Sequence, residues 1–193
     1  MLLLRSRDCI IGIDDDMNSF SVQELALPGV LLITPKIFRD ERGFFVETYN
    51  EKAFAELGIN TRFVQDNLSY SHKGVLRGLH SQTQPHAQAK LVRCASGEVF
   101  DVVADCNPSS PTYGRHVQAT LKASEATMLY VPAQYYHGFC VLSEQAIVEY
   151  KVDDFYAPDC AVGVRFDDPH LAVLWPIKSP ILSEQDTNWP TLT

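Results

Sequence analysis

Short runs of β-branched and aromatic residues, recurring down the chain and cut apart by Gly, Pro, Asn and Ser, constrain this sequence more than any other feature. Runs at residues 30–34, 44–49, 61–67, 91–94, 98–105, 116–121, 126–131, 138–142 and 147–152 have the length and spacing of antiparallel strands. No strand–helix–strand rhythm interrupts them, and no internal repeat or low-complexity segment is present. One helix is expected, over residues 51–57. Asn50 is a good N-cap, Glu51 sits in the first turn, Phe54 and Leu57 share a face, and Gly58 stops it. Two turns cannot organise a domain, so the sequence predicts an all-β sandwich or jelly roll with short helical pieces near both ends.

Residues 1–22 read differently. Asp14-Asp15-Asp16 is acidic and aperiodic, and Met17 reads as an alternative start. The division expected is an N-terminal extension over residues 1–22, disordered or foreign to the domain, and a single domain over residues 23–193. The alternative for this stretch is a first strand at residues 9–13.

Charge and cysteine usage exclude several function classes. Sixteen basic against 24 acidic residues give a net charge of −8, without the basic face of a general nucleic-acid binder. No apolar run approaches the ~18 residues that span a bilayer. The five cysteines (Cys9, Cys94, Cys106, Cys140 and Cys160) are odd in number and form no Cys-x-x-Cys pair, the pattern of reduced thiols in a cytoplasmic protein.

Chemistry-bearing residues concentrate in residues 74–93, where Arg77, His80, Lys90 and Arg93 lie within a short reach of one another. A base beside cationic anion binders fits an anionic substrate with a removable proton, although a charged surface hairpin would look the same. His80 and His137 sit between apolar runs and next to Gly78 and Gly138, whereas His72, His86, His116 and His170 sit among polar residues, as surface histidines do. Arg42, Glu47, Asp101 and Tyr150 punctuate neighbouring runs. Polar groups on strands facing an interior must satisfy one another or bind a ligand. A metal centre is the rival reading, but the His-x-His signature of small β-barrels is absent. So are serine elbows, P-loops and dinucleotide fingerprints.

A series of motifs then appears in order: Asp40-Glu41-Arg42-Gly43-Phe44-Phe45, Phe63-Val64-Gln65-Asp66-Asn67, Val75-Leu76-Arg77-Gly78-Leu79-His80, Lys90-Leu91-Val92-Arg93-Cys94 and Gly97-Glu98-Val99-Phe100-Asp101-Val102. Ser110-Pro111-Thr112-Tyr113-Gly114, Val131-Pro132, His137-Gly138-Phe139, Glu149-Tyr150-Lys151 and Ile181-Leu182-Ser183 continue it. From about residue 25 to residue 186 the chain resembles the dTDP-4-dehydrorhamnose 3,5-epimerase family, whose fold is a cupin-type jelly roll.

That resemblance implies 3,5-epimerisation of dTDP-4-dehydro-6-deoxy-glucose in dTDP-L-rhamnose synthesis, without metal or other cofactor. It implies His80 as base, Asp186 as its orienting partner, Lys90 as enolate stabiliser and Tyr150 as proton donor. Arg42, Glu47, Gln65, Asn67 and Arg77 would hold the nucleotide diphosphate and sugar, Tyr156 would stack on the thymine, and His137, with Asp101 behind it, would touch the sugar. The family is a homodimer, so Arg42 and Glu47 are expected to serve the partner's site. The chain departs from the pattern at Ala161, where the family has an acid, and at Gln185, where it has a lysine. Both lie at the nucleotide edge. Alternatives are a C3-only or C5-only epimerase of a related sugar, a metal-dependent cupin enzyme, or a non-catalytic sugar-nucleotide binder.

Overall fold

The computed structural model describes residues 19–192; Met17, the acidic run before it and the alternative strand at residues 9–13 lie outside the described residues. Among the described residues, thirteen strands carry the fold. In chain order they are β1 (Phe20–Glu24), β2 (Leu31–Pro35), β3 (Ile37–Asp40), β4 (Gly43–Val46), β5 (Gln65–His72), β6 (Leu76–Gln82) and β7 (Lys90–Ser96). Then come β8 (Glu98–Ala104), β9 (His116–Lys122), β10 (Met128–Val131), β11 (Tyr136–Val141), β12 (Gln145–Val152) and β13 (Ala161–Gly163). Two short helices, α1 (Glu51–Glu56) and α2 (Glu184–Asn188), complete it.

Two antiparallel sheets face each other, one ordered β1-β2-β10-β7-β12-β5 and the other β13-β6-β11-β8-β9. This is the cupin-type jelly roll. Alternation assigns each strand an inner and an outer face. On β12, Ala146, Val148 and Tyr150 turn inward; their ladder partners on β7, Cys94 and Val92, do the same, as do Val99 and Val103 on β8 and Phe139 and Val141 on β11. The outer face of the six-stranded sheet is covered by α1, whose Phe54 packs with Phe20, Ile33, Leu91 and Met128. Asn50 caps that helix through a bond accepted from Ala53 N–H (3.2 Å), as expected from its sequence.

Three expectations need correction. β1 pairs with β2 from Phe20 onward, so the sheet begins inside the stretch set apart as an extension. The strand expected over residues 61–67 runs instead over Gln65–His72, because its ladder with β12 continues to His72 opposite Gln145. Residues 61–64 precede that ladder and are held by Val64 N–H bonding Val152 O and by the Thr61 hydroxyl bonded to the Tyr130 hydroxyl at 2.7 Å. The third is the strand expected over residues 44–49, which runs over Gly43–Val46 and pairs only with β3, as a hairpin apart from both sheets.

Candidate active site

The inward faces of β5, β6, β7, β11 and β12 converge on a polar patch inside an otherwise apolar jelly roll. Its central irregularity is on β6. Arg77 and His80 are three residues apart and in a regular strand would face opposite sides. Here Arg77 pairs with Phe139 and His80 with His137, so three residues of β6 span two of β11. The bulge turns both side chains inward. It is possible because residue 78 is glycine: its φ is +111°, and a Cβ there would lie 2.6 Å from both Gly138 Cα and His137 O.

His80 is held well below the ordinary histidine range, at about 4, first by burial, then by the positive charge of Lys90, with Asp186 acting in the opposite sense. Lys90 opens β7 opposite Val152, with its Nζ buried and without a hydrogen-bond partner. Burial pushes its amine down to about 8. Tyr150 lies opposite Val92 and Asn67. Burial raises its phenol above the usual value, against the pull of the Arg77 cation. His137 Nε2 is hydrogen-bonded to Asp101 Oδ1 at 2.8 Å; Asp101 is fully buried, its other oxygen has no hydrogen-bond partner, and burial raises its pKa.

Asp186 reaches this patch from far along the chain. The C-terminal segment returns beside β6 through Leu76 N–H to Ile181 O (3.0 Å) and Ile181 N–H to Gly74 O (2.8 Å). Ser183 then caps α2, accepting from Asp186 N–H (3.0 Å) and donating to Asp186 Oδ2 (2.8 Å). The other carboxylate oxygen accepts from Gly78 N–H at 3.3 Å. Asp186 therefore acts on His80 through its charge, while its two hydrogen bonds fix it to the bulge and to the helix cap.

The residues expected to hold the nucleotide divide into two groups. Gln65 donates to Asn67 Oδ1 (2.8 Å), and Arg77 Nε donates to the Ser71 hydroxyl (3.1 Å), all on inward or rim positions of β5 and β6. Tyr156, 63% exposed, stands on the loop after β12. Arg42 is elsewhere, in the β3–β4 turn, its side chain 85% exposed and its guanidinium paired with Asp40. Glu47 accepts from Asn50 Nδ2 at 3.1 Å beside α1. His72 and His170 are exposed and His86 and His116 half-buried, with His86 bonded to Asp154 at 3.0 Å.

Sequence reasoning missed three contributors. Ser71 anchors Arg77, Gln82 ties the loop after β12 to β6 by accepting from Ala157 N–H (2.7 Å), and Asp153 accepts from Ala89 N–H (2.7 Å) beside Lys90. The only signal for Ser71 is strand parity along β5, and for Gln82, on β6, the bulge hides even that. Among the described residues no three His, Cys, Asp or Glu side chains gather as a metal-binding group. A cleft of about 360 Å3 is lined by Asn67 and Tyr150 together with Asp66, Leu91, Arg93, Glu149 and Lys151, in which Arg93 pairs with Glu149 and Lys151 with Asp66.

Fold and site together define a cupin-type jelly-roll enzyme with acid–base groups turned into its interior. Residues 24–193 match the family described as dTDP-4-dehydrorhamnose 3,5-epimerase. The chain belongs to that family, and it is an isomerase that acts on sugar nucleotides. It is 48% identical over 169 residues to the dTDP-4-dehydrorhamnose 3,5-epimerase of Shigella flexneri, a match covering 87% of this chain and 93% of that one. The crystal structure of the Bacillus anthracis enzyme with TDP and pyrophosphate bound superposes with a TM-score of 0.87 at 43% identity, covering 90% of this chain and 99% of the other. The Legionella pneumophila dTDP-6-deoxy-D-glucose-3,5-epimerase, in complex with dTDP-4-keto-L-rhamnose, gives a TM-score of 0.86 at 42% identity, over 90% and 93% of the two chains.

Proposed function

We propose that this chain converts dTDP-4-dehydro-6-deoxy-glucose to dTDP-4-dehydro-L-rhamnose, in a cytoplasmic route to dTDP-L-rhamnose, by proton transfer at the two carbons flanking the C4 ketone. The observation that carries this reading is a neutral imidazole, an unpartnered buried ammonium and a half-buried phenol converging inside one jelly roll. A proton next to a ketone leaves as the carbonyl becomes an enolate, so the site needs a base, a counter-charge for O4 and an acid on the opposite face.

His80 is the base. With its pKa depressed to about 4 its lone pair is free at neutral pH, and the Asp186 charge favours the imidazolium formed on proton uptake. Lys90 Nζ, protonated below about 8 and without a protein acceptor, is available to the enolate oxygen. Tyr150 keeps its proton at neutral pH and returns it to the other face. His137, braced by Asp101, contacts the sugar. Arg77, with Gln65 and Asn67, takes the diphosphate and sugar, and Tyr156 stacks on the thymine; the planar guanidinium suits paired phosphate oxygens.

The active form in this reading is a homodimer. The β3–β4 hairpin, apart from both sheets and carrying Phe38, Phe44 and Phe45 at 52%, 52% and 68% exposure, docks on a second copy and lends it Arg42 and Glu47. The test of the chemistry is incubation with dTDP-4-keto-6-deoxyglucose in D2O, followed by NMR. Deuterium at both C3 and C5 is expected. Exchange at one carbon alone makes the protein a mono-epimerase, and exchange at neither sinks the reading.

A further inference from the structure

Lys90 is the one member of the interior set whose charge no hydrogen bond supports. A buried ammonium without acceptors loses its hydration and tends to give up its proton. Its surroundings are nearly all uncharged. Across the ladders it faces Val152 of β12 and Val131 of β10, and the ionisable side chains acting on it are His80 of β6, which is neutral near pH 7, and Asp153.

Asp153 is the residue immediately after Val152, and so lies one step beyond the rung that Lys90 occupies. Its Oδ1 accepts from Ala89 N–H at 2.7 Å, and Ala89 immediately precedes Lys90. The half-buried carboxylate is thereby fastened to the backbone that carries the lysine. The neighbouring Asp154 is committed elsewhere, to Phe155 N–H (2.7 Å) and to His86 (3.0 Å).

We propose that Asp153 is a positioning residue for the epimerisation, its carboxylate clamped by Ala89 N–H so that its negative charge keeps Lys90 in the ammonium form that the enolate needs. This rests on the role given to Lys90 above. The electrostatics agree in both directions: Asp153 opposes the downward push of burial on Lys90, and Lys90 opposes the upward push of burial on Asp153. With Lys90 already at about 8, a further fall would leave much of it neutral at physiological pH.

Asp153→Asn separates charge from structure, because the amide retains an oxygen to accept from Ala89 N–H. Removing the negative charge moves the Lys90 titration downward, so the ammonium is lost at lower pH and the alkaline limb of kcat moves with it. The direct readout is the 13Cε resonance of Lys90, assigned by its loss in Lys90→Met, titrated in the free protein. The expected result for Asp153→Asn is a midpoint lower by on the order of one pH unit. A kcat reduced roughly three- to tenfold at pH 8 but near wild type at pH 6 should accompany it, with KM little changed. Asp153→Glu, which restores the charge, should recover both. An unchanged Lys90 midpoint in Asp153→Asn overturns the proposal. A midpoint that moves while the kcat limb stays fixed removes Lys90, and with it Asp153, from the reaction, yet leaves intact the proton exchange attributed to His80.

Discussion

His80 can serve as a base only if its lone pair is free at neutral pH, and burial beside Lys90 secures that. His80→Asn is therefore expected to abolish turnover while nucleotide binding, measured by calorimetry with dTDP, stays within a few-fold of wild type. Tyr150→Phe is expected to separate the half-reactions: epimerised product falls by about two orders of magnitude or more, the usual worth of a general acid, while solvent deuterium still enters the substrate at the carbon His80 reaches. Turnover surviving in His80→Asn would remove the base assignment. At this scale the sequence was informative where a motif carried the residue, as in Leu76-Arg77-Gly78-Leu79-His80 or Glu149-Tyr150-Lys151. It was silent about Ser71 and Asp153, because their importance lies in what they touch. The anchor of Arg77 is a serine on the neighbouring strand, and the carboxylate beside Lys90 belongs to an unremarkable Asp-Asp pair at a strand end.

One bulge on β6 decides whether those side chains meet. Periodicity alone puts Arg77 and His80 on opposite faces; the extra β6 residue between them, set against the single residue between their partners on β11, puts both inside. The same turn of the chain brings Gly78 N–H to Asp186, 108 residues away, so the bulge also fixes the carboxylate that acts on His80. Gly78→Ala should break this arrangement. Its positive φ alone costs on the order of 1–3 kcal/mol for a residue with a side chain, and the new Cβ would also overlap Gly138 Cα and His137 O. Gly43→Ala is the control, since Gly43 also has a positive φ, +130°, but a Cβ there meets nothing within 4 Å. By thermal unfolding, Gly78→Ala should lose more than ~5 °C and more than Gly43→Ala does, at roughly 2–4 °C per kcal/mol for a chain of this size. Equal losses would mean that the close approach to β11 relaxes freely. Strand content and the short helix at residues 51–56 were legible because alternation and capping are local. The position of β5, the bulge and the three-residue β13 were not, since each is set by a partner strand distant in sequence.

On the scale of the molecule, a single chain leaves the residues proposed to hold the nucleotide divided. Gln65, Asn67 and Arg77 line the interior rim, whereas Arg42 projects on a hairpin that belongs to neither sheet, with three phenylalanines around it at least half exposed. So much apolar surface on a free hairpin is costly to leave in water. A partner that covers it would also carry Arg42 to a site on the other subunit. Subunit mixing tests this directly. Arg42→Ala and His80→Asn are each expected to be nearly inactive, the first through weakened substrate binding and the second through loss of the base. If hairpins cross, a dimer with one chain of each kind has one ruined site, carrying both substitutions, and one intact site. Random reassortment makes half the dimers mixed, with one of their two sites whole, so an equimolar mixture unfolded and refolded together should regain roughly a quarter of wild-type activity. If Arg42 serves its own chain, every site in every dimer keeps one lesion, and the refolded mixture stays at the mean of the two parents. Light scattering at about twice 21.6 kDa for both variants must accompany the assay. A monomer there would remove the exchange of hairpins, and with it the reason for exposing Phe38, Phe44 and Phe45 on an element that pairs with no other described strand of its own chain.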